Sequence, residues 1–208
     1  MRSLILKSQN WRITCLSAAA LLIWTASAWA SPGETFVPIN YPGATTTSAT
    51  GINGAGDIVG TYSCVATAAH PCNVTPGSHA YLLRDDVFTP IDVPGAVSTV
   101  GRGISKQGVV VGQYGARGPD GVILTHGFTY SDGNYFYPID VPQLLFDEAF
   151  RSGHLNTIVV RMSPKGDMVG CFHEDGKIMT TMRGFVLHDG TFTRFEPTDT
   201  MQDRKSVV

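Results

Sequence analysis

The chain repeats itself, and this limits its fold more than any other feature. FVPINYPGA at 36–44 returns as FTPIDVPGA at 88–96 and as FYPIDVP at 136–142. Each copy goes on through GINGAGDIVGTY, GISKQGVVVGQY or MSPKGDMVGCF and then through SHAYLLRDDV, THGFTYSDGNY or MRGFVLHDGT. Pro42 to Asn53 and Pro94 to Ser105 are both 11 residues, and Asn53–Gly60, Ser105–Gly112 and Ser163–Gly170 are all 7. The linkers vary meanwhile: Gly60 to Gly112 is 52 residues and Gly112 to Gly170 is 58. Fixed internal distances with variable joins mark successive copies of one supersecondary block.

Each copy offers four short strand candidates: the F-x-P-I-D segment, the stretch around Ala49–Ile52, DIVGTY, and HAYLLR. Their residues are β-formers, and they are separated by NGAG, KQG, PKG, RDD, SDG and HDG, whose Gly and Asp accept tight-turn backbone. In DIVGTY, Ile58, Gly60 and Tyr62 face one way and Val59 and Thr61 the other, the period of a half-buried strand. The expected class is all-β: repeated four-stranded antiparallel units, propeller-like, as three blades plus a partial fourth, incomplete or open. The repeats are placed at 36–87, 88–135 and 136–191, with the partial fourth at 192–197.

Several recurring slots have a physical reason. Gly60, Gly112 and Gly170 fall mid-strand, where glycine weakens a sheet unless another backbone or ring comes close. Ala80, Gly127 and Gly184 form a second small slot that suits sheet-on-sheet packing. Pro38, Pro90 and Pro138 cannot donate to a ladder, so their strand is an edge strand or ends there. Tyr62, Tyr114 and Phe172 read as core aromatics. Asp57 and Asp167, matched by Val109 in the middle copy, read as solvated turn residues.

The first 30 residues have a different character. Arg2, Lys7 and Arg12 precede LSAAALLIWTASAWA, with no acidic residue before Glu34. A basic start, a short apolar run and an A-x-A-like end describe a secretory signal peptide cut after Ala30; an uncleaved anchor is the alternative. Export to the periplasm or exterior follows, with residues 31–197 as the β-repeat domain, 198–208 as a disordered tail and no membrane span left after cleavage. Without the leader, 12 basic residues face 17 acidic ones, and no basic stripe appears to recruit nucleic acid.

In an oxidising compartment Cys64 and Cys72, flanking VATAAHP, are the natural disulfide pair. His70 lies between them, but two thiols and an imidazole fall one ligand short of a tetrahedral metal site. Cys171 is then a buried thiol or an intermolecular partner. No metal and no cofactor is expected.

The phrases SHAY, THGF and the degenerate MRGF, with GINGAGDIVGTY and its counterparts and the linking F-x-P-I-[DN]-x-P-G-A, resemble the bacterial extracellular HAF repeats, named for a His-Ala-Phe core. The likeness covers 36–197. It implies an exported, β-rich repeat protein, and it brings no catalytic residues. Arg183 stands where His79 and His126 stand in the other copies, so the resemblance carries no function common to that slot.

His79 and His126 are therefore read first as structural histidines bonding a carboxylate such as Asp92 or Asp140, rather than as ligands. Asn40, Asp92 and Asp140 read as turn caps rather than a calcium ring, which wants six to eight oxygens. The insert QLLFDEAFRSGHLNTIVVR (143–161) breaks the pattern most, and Glu148, Arg151, His154 and Arg161 are polar enough to build a binding site on a rigid scaffold. Its LLFDEAF stretch suits a helical turn. No nucleophile elbow and no phosphate loop occur. The expected function is a non-catalytic module binding a glycan or protein, able to self-associate through open sheet edges. The alternatives are a remnant of a longer repeat protein and a polysaccharide-acting enzyme.

Overall fold

Three antiparallel meanders of four strands each account for the regular structure of the computed structural model, which describes residues 36–64, 77–146, 156–173 and 182–195. The first unit is β1 (Thr46–Ile52), β2 (Ile58–Cys64), β3 (Gly77–Arg84) and β4 (Val87–Ile91). The second is β5 (Ser98–Ile104), β6 (Val110–Arg117), β7 (Ile123–Ser131) and β8 (Asn134–Ile139). The third is β9 (Asn156–Met162), β10 (Met168–His173), β11 (Met182–His188) and β12 (Thr191–Phe195). Within each unit neighbours pair antiparallel, and a single parallel bridge, Thr125 to Asn156, joins the second and third units. Pro38–Val208 forms one compact unit that contains all of these strands.

The turns account for the conserved spacing within the repeat. Asn53, Ser105 and Ser163 each open a turn closed by a backbone bond back to the same residue from Gly56, Gly108 or Gly166. Their side-chain oxygens accept the N–H of Asp57, Val109 and Asp167 at 3.0, 3.1 and 3.1 Å. The hairpins at Asp85-Asp86, Asp132-Gly133 and Asp189-Gly190 hold positive φ at both central residues, the geometry that matches strand twist.

The expected phase of the repeat needs correction. The F-x-P-I-D phrase is not the first strand of its own copy; it is the closing strand of the copy before. Phe88–Ile91 pairs with β3, and Phe136–Ile139 with β7. Residues 192–195 likewise pair with β11 and complete the third unit, so they do not begin a fourth. The first phrase, at 36–40, forms no strand. The proline expectation holds at two of its three positions: β4 and β8 each have one partner strand, so Pro90 and Pro138 sit on edges, while Pro38 lies on no strand.

After its strand the phrase crosses to the next unit by one recurring bond. The N–H of Tyr41, Val93 and Val141 donates to the hydroxyl of Thr47, Thr99 and Thr157 at 3.0, 3.1 and 3.0 Å. Thr99 and Thr157 are buried. A phrase that must both end one unit and enter the next has little freedom to drift, which is a physical reason for its repetition.

The mid-strand glycines behave as expected. A Cβ on Gly60 would run into the Ser48 carbonyl oxygen and the Tyr81 ring; on Gly112 it would meet Val100 and Phe128, and on Gly170 Ile158 and Phe185. Beside each of these glycines the pairing with the unit's first strand (β1, β5 or β9, the inner strands, of which β5 lies against the other two) shifts register by a bulge. Two apolar clusters fill the joins between units. Val59, Ala80, Leu82 and Ile91 meet Ile104, Val110, Tyr114 and Phe128, while Val111, Ile139 and Val159 meet Phe172 and Phe185.

Candidate functional site

The recurring His slot is structural in both units that carry it. His79 Nδ1 lies 2.8 Å from Asp92 Oδ1, and His126 Nδ1 lies 2.9 Å from Asp140. Each imidazole also stacks at 5.2 Å on a core tyrosine, Tyr62 or Tyr114. Burial, with Asp140 and Tyr137 nearby, pushes the Tyr114 phenol up to about 12, so it stays protonated and uncharged. The pair ties the third strand of a unit to the residue that follows the fourth. In the third unit Arg183 takes the slot, and its sequence counterpart to the aspartates is Glu196, which lies outside the described residues.

Of the four residues expected to bind, Arg161 is described; Glu148, Arg151 and His154 lie outside the described residues, as does Cys72 of the expected bridge. Cys64 is buried at the end of β2, with its sulfur 3.6 Å from the Gly43 carbonyl oxygen. Cys171 is a free thiol, half-buried, and desolvation pushes its pKa up. The insert begins with a 3-10 turn, Gln143–Leu145. Phe146 is buried on Phe172, while Leu144 stays exposed.

Arg161 occupies the inner-strand slot that is Gly51 in the first unit and Gly103 in the second, opposite Val59, Val111 and Val169. It reaches across the inner strands, donating to the carbonyls of Arg102 and Thr50. A cavity of about 460 Å³ lies there, lined by Ala49–Ile52, Ile58, Ile104 and Arg161. The guanidinium therefore bonds main-chain oxygens of all three inner strands, since it also donates to Val160. That is a tie between the first strands of the three units rather than a free anion hook.

A second cleft, which sequence reading missed, opens between the second and third units. It encloses about 450 Å³. Its apolar wall includes Phe136, Pro138, Met168 and Phe192, and its rim carries Asp140, Lys165, Asp167 and Asp189. Phe136 is 66% exposed. Two of the rim aspartates are held by His188, which lies 2.6 Å from Asp167 and 3.4 Å from Asp189. Asp167 holds His188 above its usual range, and the same contact holds the Asp167 carboxyl below its own.

Comparing the two joins explains why this one is open. Between the first and second units, Arg84 reaches over to within 3.9 Å of Asp132 and packs on Gly108, and Tyr135 receives the Asp92 N–H at 3.1 Å. In register, Arg84 corresponds to Ser131, and Tyr135 corresponds to Phe192. Serine is too short to cross, and phenylalanine has no hydroxyl. The side chains that fill the first join are thus replaced by ones that cannot fill the second.

Asp57 and Asp167 are not simply solvated turn residues. Asp57 is buried and takes a bidentate bond from Arg84 at 3.0 and 3.1 Å plus one from Asn53, which together hold its carboxyl below the usual range. Asp167 is bonded by His188 and Ser163. Both lock the turn before the Gly slot to the third-strand end. Among the described residues no three His, Cys, Asp or Glu gather as a metal site, and no helix is long and apolar enough to cross a membrane.

Comparison with protein-family models, with curated proteins and with solved structures returns no match for this chain.

Proposed function

We propose that this protein is an exported, propeller-like β-repeat scaffold of the HAF-repeat type that binds a glycan or protein ligand in the cleft between its second and third units. One observation carries the proposal. The repeated residues are engaged in holding the scaffold, while the cleft exists because Ser131 and Phe192 depart from the pattern that fills the neighbouring join. Variation on a fixed scaffold is where binding resides.

The chemistry favours a polyhydroxylated ligand. An exposed aromatic face, Phe136, offers a platform for the apolar side of a sugar ring, and the rim carboxylates of Asp140, Asp167 and Asp189 accept hydroxyl hydrogen bonds. Binding to a glycan array, followed by titration calorimetry on the best hit, tests the idea. Phe136→Ala should weaken the hit about tenfold, equivalent to about 1.4 kcal/mol. Ser131→Arg combined with Phe192→Tyr should abolish binding by restoring the filled join. A hit whose affinity survives both changes refutes the cleft as the site, and release of cut sugar from the bound glycan would make the protein an enzyme.

A further inference from the structure

Two joins between units are built inside the chain, and both use the same parts. The face of the first unit that meets the second carries Val59, Ala80 and Ile91, each 0% exposed. The matching face of the second unit carries Val111, Gly127 and Ile139, and its valine and isoleucine are 0% and 3% exposed. The next unit's inner strand seats on this face. A Cβ on Gly101 would lie 3.5 Å from the Ala80 Cβ, and one on Gly127 would touch a Val159 methyl.

The third unit repeats the face and leaves it open. Register places Val169, Gly184 and Phe195 at those positions. Val169 is 41% exposed and Phe195 54% exposed. The complementary surface is open on the first unit. Ala49, the counterpart of Gly101 and Val159, is exposed, and Ile52 is 67% exposed where Ile104 is 9%. The crossing residue is already in place there. Tyr41, at the slot of the buried Val93 and Val141, stacks on Tyr62 at 3.6 Å.

We infer that the third unit of one copy seats on the first unit of a second copy through this same joint, head to tail. The occupant is a second copy because each face fits the other's counterpart within the chain: the socket matches two filled sockets, and the strand matches two seated strands. A head-to-tail contact either closes into a ring or runs on as a filament. Radial four-stranded arrays close with roughly four to eight units. The described units of two copies number six, within that range, so the joint made twice closes a pair. The joint involves neither the cleft nor its ligand, and it rests on the propeller-like reading of the scaffold alone.

The full chain, expressed with its N-terminal segment and purified, is examined by light scattering and sedimentation velocity over a wide concentration range. The expected result is twice the chain mass with no larger species. Phe195→Asp puts a carboxylate into the socket from an exposed edge-strand position and should give the single-chain mass with an unchanged far-UV spectrum. A second variant covers the case in which that one misfolds. Ala49→Cys with Gly184→Cys, in a Cys171→Ser background because Cys171 is the cross-strand neighbour of Gly184, should yield covalent dimers on non-reducing gels, since the matching Cβ separation lies within the about 3.5–4.5 Å of disulfides. Single-chain mass at all concentrations overturns the inference. So does a dimer that the cysteine pair does not capture, or an open-ended series of larger species.

Discussion

Replacing Gly112 by alanine adds one methyl group, and its surroundings fix the sign of the effect. The new Cβ would strike the Val100 carbonyl oxygen on the neighbouring strand and lie 2.9 Å from Phe128 Cε1. Neither neighbour can withdraw, because the carbonyl belongs to the β5 ladder and Phe128 is 0% exposed. Overpacking a tight core costs about 1–3 kcal/mol, while leaving glycine behind in a strand returns about 0.5–1 kcal/mol. The net is a loss of up to about 2.5 kcal/mol, which lowers Tm by up to about 10 °C for a domain of this size. Gly184→Ala is the control. Its Cβ would meet Phe195 at an ordinary 3.6 Å, and the equivalent slot in the first unit already holds Ala80. That change should hold Tm level or raise it by about 1–4 °C from the same glycine entropy. Thermal melts followed by circular dichroism decide the matter. Equal losses at both sites, or a rise at Gly112, would refute the claim that aromatic rings and strand carbonyls close on the mid-strand glycines.

Two further outcomes are expected. Tyr135→Phe removes the hydroxyl that receives the Asp92 N–H and should cost about 0.5–1.5 kcal/mol in urea melts; an unchanged midpoint would mean that this bond does not help close the first join. Histidine NMR should place the His188 midpoint above its ordinary 6.5, because Asp167 and Asp189 face it. The contribution of His188 is complete below 6.5 and fades as pH rises through the raised value. Asp167, lowered from 3.8, keeps its share above that value and loses it as pH falls through the lowered one. The pair is therefore strongest between about pH 4 and 6.5, and a His188 midpoint at or below 6.5 would contradict the contact.

Much of the architecture was legible in the sequence because its causes are local. Turn residues such as Asn53, Ser105 and Ser163 bond to their own neighbourhood, so their spacing to the glycine slots declares the hairpins without any long-range information. The bonds from His79 and His126 to Asp92 and Asp140 were foreseeable too, since both partners recur. The phase was not legible. Whether Phe88–Ile91 begins one sheet or ends another depends on which strand it pairs with, and a periodic sequence reads the same from either starting point. A one-residue bulge in β8 hid another correspondence: the pairing shift between Gly127 and Thr129 puts Tyr135, not Phe136, in the place of Phe88. That shift hides the cleft from a reading of the sequence alone. Its origin lies in the register-matched swaps of Arg84 for Ser131 and Tyr135 for Phe192, which an alignment on F-x-P cannot show. The role of Asp57 was not legible either, because its partner Arg84 lies 27 residues away and distance along the chain carries no sign of the ion pair.

The crossing bond has a consequence for what this chain can tolerate. Tyr41 and Val93 reach their threonines across 6 residues, whereas Val141 reaches Thr157 across 16, and the three bonds have nearly the same length. Ten additional residues have been spliced into that bridge, and its two abutments have stayed where they were. The bridge is thus a permissive site, where foreign sequence can be grafted while the strands on either side keep their registry.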